Sequence, residues 1–556
     1  MKKNNNKKME TSRNKIKAIE QNNGKRVMTI VAIMATIMLM HYLPKSYGIF
    51  FPQDEFGYWN NAAKIIGLDW SDVAFGQSRY AYGYSLLLVP ILVLLKSNPL
   101  MLYKVAITLN VVLLVIYSGL LYKIVKKIFT NLTETQKSIL TIICTFTPYV
   151  IGYVHYTIAE MLIHVLFVSL LNAIYDADKA GVTKIVIIKC SVICVAMLLV
   201  HYRTIGVTFA FGVVLLVKYL KDVELKRMKL ITLVTFSLAL IATIYIIFRM
   251  GYFSFDKLLT SENMISLIIG FIGKLYYSIV ATFGLGFIGL LTLIKNRKST
   301  FSSFYILAFF TLCFISAYFF IGSQRIDHLV YGRYIEMFLP LLTCLGINEV
   351  IEHKLSLRQL TAVVIITIIL SITMFFYAAH RGLIEYVSNF VSGIDWMLGN
   401  RASSVLMLYI KPMYVTVIFL IIIAILKKRD FFAKMILISV LAITLLSSKW
   451  VIDHEVYFFQ ECDTSDYDMS LQIKELTMKR DDLLFLDSPY NNYINLMQYW
   501  LMDKKITLLQ GLDSEAFNTP ADAIVITHAN YEALEQLQER YNVCLQSAHF
   551  YVFYNE

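Results

Sequence analysis

The feature that most constrains this chain is its succession of long apolar blocks. Residues 27–43, 185–200, 230–248, 302–321, 360–379, 412–426 and 432–447 run with almost no charge, His41, Lys189 and Lys434 being isolated exceptions. A helix needs about 20 mainly apolar residues to cross a bilayer. A spanning segment must also satisfy its own backbone, so it is a helix or part of a closed barrel. Barrel strands are about ten residues long and alternate apolar with polar. These blocks are longer and do not alternate, so they predict helices. Only 16% of the residues are charged, against about 25% in soluble domains. The chain is therefore expected to be a polytopic α-helical membrane protein.

Basic residues punctuate the blocks. Residues 1–26 carry Lys2, Lys3, Lys7, Lys8, Arg13, Lys15, Lys17, Lys25 and Arg26 against Glu10 and Glu20. No small-residue cleavage site follows the first apolar run, which reads as a retained signal anchor with a cytoplasmic basic tail. Lys427-Lys428-Arg429, Lys354 with Arg358, Lys295 with Arg297 and Lys298, and the run from Lys218 to Lys229 all fall on the same side by parity. The net charge of +12 is thus a topology signal, and nucleic acid is not an expected partner. Fourteen segments qualify as spans: the seven blocks above with 81–95, 104–122, 137–153, 158–175, 204–217, 268–294 and 334–347. An inner N-terminus and an outer C-terminus require an odd number of crossings, so about 13 are expected. Segment 81–95 is the candidate for re-entrance, and 268–294 for a break around Gly284 and Gly286.

Three regions follow: a tail at 1–26, a membrane module at 27–448 with a first outer loop at 44–80, and an extracytoplasmic domain at 449–556. The loop stretch 58–68 has helical spacing of Tyr58, Trp59, Ala62, Ile65 and Ile66, fitting either an interfacial amphipathic helix or a buried loop helix. In the last region, strands are predicted at Leu483–Leu486, Ile506–Leu509, Ala523–Ile526 and within 543–555, with helices at 491–501 and 529–540. That alternation predicts a small α/β domain. Five of the seven cysteines lie in or beside apolar segments and read as buried hydrophobes. Cys462 and Cys544 lie in the C-terminal region, where pairing would need an oxidising compartment.

Candidate chemistry gathers on the outer side. Asp54 and Glu55 follow the first helix and fit a general base or metal-binding pair, or simply solvated charge. Adjacent side chains need not face the same way, so one acid is free to work on substrate while the other fixes the loop. Arg79, His155, His201, Arg203, Arg249, Lys274, Arg325, His328 and Arg333 stand at the outer ends of apolar segments. Charge near membrane depth is costly and demands partners. Arg333 and Glu336, at the start of predicted helix 334–347, are three residues apart and fit either an internal ion pair or an anion site whose arginine Glu336 orients. Glu160 opens segment 158–175, with His155 just before it. A lipid phosphate would lodge its tail among helices and its headgroup beside such arginines.

These features resemble the GT-C superfamily of membrane glycosyltransferases, which use polyprenyl-phosphate-linked sugars. The resemblance is carried by Asp54-Glu55 after the first helix, by Tyr82-Gly83-Tyr84 entering an apolar segment, and by Pro148 and Glu160 bracketing a short turn. Tyr331-Gly332-Arg333-Tyr334-Ile335-Glu336 leading into Leu339-Pro340 completes it. It spans roughly residues 27–450. The resemblance implies inverting transfer of a sugar from a polyprenyl-phosphate donor, undecaprenyl phosphate in a bacterium, to a surface glycan or lipid-linked acceptor at the outer face of the plasma membrane. Asp54 then looks like the base and Glu55 its catalytic partner. Arg333, Arg203, Arg325, Arg79, His328 and Lys274 become candidates for the donor phosphate, and Glu160, Glu336, His155 and Tyr331 for orienting the site. No run of paired acids or histidine set is present, so no metal ligands are assigned and an essential divalent ion is disfavoured. The competing readings are a lipid or glycan flippase and an O-antigen-type ligase or polymerase.

Overall fold

The computed structural model describes residues 23–49, 52–74, 80–181, 183–221, 237, 241, 244, 259–352, 354–383, 385–386, 391–399, 406–426, 431–457, 464–478, 480, 482–486, 493–509, 520–530 and 534–556. The helices are α1 (Asn23–Lys45), α2 (Pro52–Ile65), α3 (Tyr82–Leu95), α4 (Pro99–Ile128), α5 (Glu134–Thr145), α6 (Pro148–Val154), α7 (Glu160–Ala180), α8 (Lys184–Val200) and α9 (Ile205–Lys221). They continue with α10 (Ser261–Val280), α11 (Leu285–Lys295), α12 (Thr300–Phe319), α13 (Leu339–Ile351), α14 (Leu357–Arg381), α15 (Met407–Leu426) and α16 (Phe432–Val451). Among the described residues, eight helices are long and apolar enough to cross a bilayer, or nine if α5 and α6 form one span bent by 61°. The bend falls where Pro148 starts α6, since proline cannot donate the next helical hydrogen bond. The chain is a polytopic α-helical membrane protein. Predicted segment 230–248 lies almost wholly outside the described residues.

Segment 268–294 is broken, as its glycines suggested. α10 stops at Val280, Phe283 and Gly284 adopt φ of 53° and 82°, and α11 starts at Leu285. α11 then packs directly on α13. A Cβ on Gly289 would meet the Leu342 carbonyl, and one on Gly346 the Leu285 carbonyl. Small residues permit this backbone approach where lipid offers no hydrophobic drive.

One face of the bundle is closed by short polar ties. Lys127 pairs with Asp176 (2.6 Å), and Asp178 accepts from Ser299 Oγ and Thr300 N, both at 2.8 Å. Lys126, Lys179, Lys295, Arg297 and Lys298 cluster at these same helix ends. The opposite face carries the C-terminal domain. α3 begins and ends on that second face. Asn61 donates to the Tyr80 carbonyl at its start (2.8 Å), while Lys474 reaches the Ser97 carbonyl (3.1 Å) beyond its end.

The C-terminal domain contains α17 (Thr464–Leu476), α18 (Tyr493–Trp500) and α19 (Leu534–Arg540). Its strands are β1 (Leu483–Leu486), β2 (Thr507–Leu509), β3 (Ile524–His528), β4 (Val543–Gln546) and β5 (Phe550–Tyr554), in the order β2-β1-β3-β5-β4. β1 is parallel to β2 and β3, whereas β5 is antiparallel to β3 and β4. The expected strands and helices are present. α17 was not anticipated, because its buried Met469 and Ile473 sit in an otherwise polar sequence. Cys462 lies outside the described residues.

The domain grips the first loop. Trp70 Nε1 donates to the Met502 carbonyl (3.0 Å), Trp500 Nε1 to the Tyr47 carbonyl (2.8 Å), and Lys505 pairs with Asp69 (3.0 Å). Hydrogen bonds from Ser71 and Lys505 hold the Asp69 carboxyl down at about 2. α2 lies beneath α18 with Phe56, Tyr58, Trp59 and Ala62 fully buried. The loop helix is therefore the buried one, because the domain covers the face that would otherwise meet lipid headgroups.

Gly346→Ala is expected to destabilise the bundle by about 1–3 kcal/mol through overpacking against α11. Thermal unfolding in detergent checks this, with Gly152→Ala as control, since its added Cβ would meet only Val451 at 3.6 Å. Equal midpoints for the two variants would contradict the α11–α13 contact.

Candidate active site

The first turn of α2 separates its two acids. Neighbouring residues on a helix project about 100° apart, so Glu55 turns inward while Asp54 turns toward the rim. Glu55 is fully buried. It accepts from Tyr103 Oη on α4 (3.0 Å) and from the Thr157 amide (2.6 Å) and hydroxyl, in the turn between α6 and α7. Trp59, one turn later, donates to the same Thr157 hydroxyl at 2.9 Å. Glu55 thus fastens α2 to its neighbours. Sequence assigned Glu55 with Asp54 to catalysis or, alternatively, to fixing the loop; these bonds are of the loop-fixing kind.

Asp54 meets the arginines. Its side chain keeps 18% exposure. Oδ1 accepts from Tyr80 Oη and Oδ2 from Arg333. Arg333 also donates through Nε to Glu160 Oε1, and Arg203 donates to that same oxygen at 2.8 Å. Glu160 therefore joins two guanidinium groups arriving from distant parts of the chain. Arg203 sits on a short 3-10 turn between α8 and α9, where its amide donates to His201 Nδ1 (3.2 Å). Its guanidinium lies 5.4 Å from the Tyr334 ring centroid. The side chains of Arg203, Glu160 and Arg333 are 4%, 0% and 6% exposed. Two cations and two carboxylates balance, which buried charges at this depth require. Among the described residues, Arg203 Nε, Glu160 Oε2 and Tyr58 Oη are buried with no hydrogen-bond partner, so the cluster has unused polar capacity.

Several sequence expectations are corrected by this geometry. Residues 333–338 form turns, and α13 starts only at Leu339. Arg333 and Glu336 therefore do not open a helix together. Glu336 instead accepts from Tyr153 and Tyr277, while Arg333 bonds Glu160 and Asp54. Lys274 is buried and donates to the His328 (2.6 Å) and Leu329 (3.0 Å) carbonyls. Arg325 engages Asp327, and His328 Nδ1 bonds Ser323 Oγ at 2.6 Å. Lys274 thus serves the backbone of the loop after α12, while Arg325 and His328 bond side chains within that loop. His155 Nδ1 bonds Tyr457 Oη (2.9 Å), tying its turn to the end of α16. Tyr331 packs against Phe320 at a tilt and edge-on against His328 and Tyr334. Arg79 and Arg249 lie outside the described residues. Tyr80 is the site residue that sequence reading missed; so are Tyr103 and Thr157, which hold Glu55. A tyrosine hydroxyl near an apolar segment demands a polar partner, and that was the signal available.

No protein-family model matches the chain, and no curated protein matches it by sequence. Its fold is shared with solved structures. ArnT from Cupriavidus metallidurans in the apo state superposes with a TM-score of 0.53 at 12% identity, over 94% of this chain and 97% of that one. The same protein bound to undecaprenyl phosphate gives 0.54 at 12% identity, over the same shares of both chains. The archaeal oligosaccharyltransferase AglB from Archaeoglobus fulgidus, in complex with an inhibitory peptide and a dolichol-phosphate, gives 0.47 at 10% identity, over 92% of this chain and 70% of that one. This chain shares the fold of ArnT, membrane module and C-terminal domain together.

Glu160→Ala is expected to cost about 3–5 kcal/mol, since it takes the carboxylate from the buried Arg203 guanidinium and leaves Arg333 with Asp54 in place of two acids. Asp54→Ala, at the partly exposed rim, is expected to cost far less. Thermal unfolding of the two purified variants checks the order; a smaller loss for Glu160→Ala would contradict its place at the centre of the cluster.

Proposed function

We propose that this chain transfers a sugar from a polyprenyl-phosphate donor to a hydroxyl of a cell-surface glycan or lipid-linked acceptor. The observation that carries this reading is the partly exposed Asp54 sharing Arg333 with the buried Arg203–Glu160 pair. A general base and a phosphate clamp then stand side by side. The fold shared with ArnT, solved with undecaprenyl phosphate bound, supports a lipid-phosphate donor. We place the site and the C-terminal domain outside the cell, with 13 crossings and a cytoplasmic N-terminus. The α3 ends and the basic cluster on the far face support that placement.

In this mechanism the acceptor oxygen attacks the anomeric carbon opposite the phosphate. The new carbon–oxygen bond forms as the sugar–phosphate bond breaks, and the electron pair leaves on the lipid phosphate. Asp54 takes the acceptor proton. Arg333 and Arg203 meet the charge that grows on the leaving phosphate. The product is inverted, and no covalent sugar–enzyme intermediate is needed. Glu55 acts by holding α2. The leaving charge is met by arginines, so the reading calls for no resident metal.

Asp54→Asn is expected to reduce transfer by about 10²–10⁴-fold, the range for loss of a general base, with folding unchanged. Arg333→Ala is expected to lower kcat/KM for the donor more than for the acceptor. Both are measured on purified protein with a panel of undecaprenyl-phosphate sugars, following release of lipid phosphate. Full turnover by Asp54→Asn would overturn the assignment of the base. Absence of transfer from every donor by the wild-type protein would overturn the reaction.

A further inference from the structure

We propose that Asp54 stands in for the donor phosphate in the substrate-free protein, and that a lipid-linked phosphate takes the Arg333 arm from it and so releases the base. The inference rests on the functional reading above and adds how the site is controlled.

The charge inventory leads to it. Arg203 and Arg333 are balanced by Asp54 and Glu160, so an arriving phosphate makes one carboxylate surplus. Glu160 is fully buried and holds both arginines through one oxygen. Asp54 is the more exposed acid, and its bond to the pair runs through Arg333 Nη1. Asp54 is therefore the exchangeable partner. Arg333 stays anchored through Nε on Glu160, and a planar guanidinium held at one edge can turn its other donors between two anions.

Tyr80 determines what happens to the released acid. Its hydroxyl bonds Asp54 Oδ1, whereas Arg333 Nη1 bonds Oδ2. Asp54 therefore stays restrained beside the phosphate after Arg333 lets go, with Oδ2 released. While paired, Asp54 has Oδ2 occupied by Arg333 Nη1 and does not present it to an acceptor hydroxyl. Once Arg333 has moved to phosphate, Oδ2 is open to take the acceptor proton. In the transfer step the acceptor proton neutralises Asp54 as the phosphodiester monoanion becomes a phosphomonoester dianion. Total charge is conserved, and Arg333 is already on the atom group that gains it. The base is competent only when the donor is seated.

The test measures binding without turnover. Undecaprenyl phosphate is titrated into the wild-type protein, Asp54→Asn and Asp54→Ala in nanodiscs. Both variants are expected to bind about fivefold tighter, because no carboxylate competes for Arg333. In the wild-type protein, carbodiimide labelling of Asp54, read by peptide mass spectrometry, is expected to rise when undecaprenyl phosphate is added. Equal or weaker binding by folded variants overturns the inference, and so does labelling that stays level or falls. The labelling arm decides alone if both variants misfold. Failure of the wild-type protein to transfer sugar in the separate donor panel would sink the functional reading while leaving the exchange intact.

Discussion

Two arginines buried among membrane helices organise this structure. Each would be very costly alone at that depth, and Glu160 makes them tolerable by accepting from both. The constraint reaches across the chain. Arg203 comes from the turn between α8 and α9, Arg333 from the loop after α12, and Glu160 from the start of α7. These elements cannot separate without exposing an unpaired charge to hydrocarbon. The cluster is thus a structural knot, and its one partly exposed member, Asp54, is the acid on which the proposed chemistry rests.

Asp54 gains its position from the elements around it. α2 is held from below by Glu55 on Tyr103 and Thr157. It is held from above by α18 and by the Trp70 and Trp500 hydrogen bonds. The C-terminal domain is therefore part of the site's framework even though its own strands carry no residue of the acid–arginine cluster. A first loop lying free on the membrane would let Asp54 wander. Covered by the domain, it presents one carboxylate at a fixed place, as catalysis by a positioned base requires.

Much of this was legible in the sequence, for stated reasons. Apolar run length gave the helices, and glycines marked the break between α10 and α11. Strand and helix periodicity gave the C-terminal sheet elements. Asp54, Arg203, Arg333 and Glu160 could be singled out because charge beside apolar segments needs explanation. Their partners could not. Glu336 is three residues from Arg333, yet the chain turns between them instead of coiling, and local spacing then says nothing. Lys274 and Arg325 look like anion ligands by type, but the loop backbone and Asp327 claim them. α17 escaped notice because two of its four buried residues, Asp466 and Ser470, are polar and leave only Met469 and Ile473 as an apolar signal. Which cation meets which anion is a long-range property. The Asp54–Arg333 pair spans 279 positions, beyond anything periodicity can reach.

The same depth explains why so many tyrosines are buried near the site. Non-helical backbone is tolerated in a membrane only where protein replaces water as its partner. The turn between α6 and α7 takes hydrogen bonds from Tyr103 to the His155 carbonyl (3.2 Å) and from Asn110 to the Tyr156 carbonyl (2.6 Å), with Tyr84 holding Asn110 at 3.0 Å. The loop after α12 is served by Tyr305 on the Phe338 carbonyl, Tyr409 on the Ile326 carbonyl (2.8 Å) and Lys274 on two more. Tyrosine suits this task because its ring packs as a hydrophobe while its hydroxyl reaches a carbonyl. Arg333 and Glu160 are thereby mounted on turns whose backbone bonds are already satisfied. An irregular loop in water would sample many geometries; the same loop, shut among helices and bonded by tyrosines, can hold a guanidinium as firmly as a helix would.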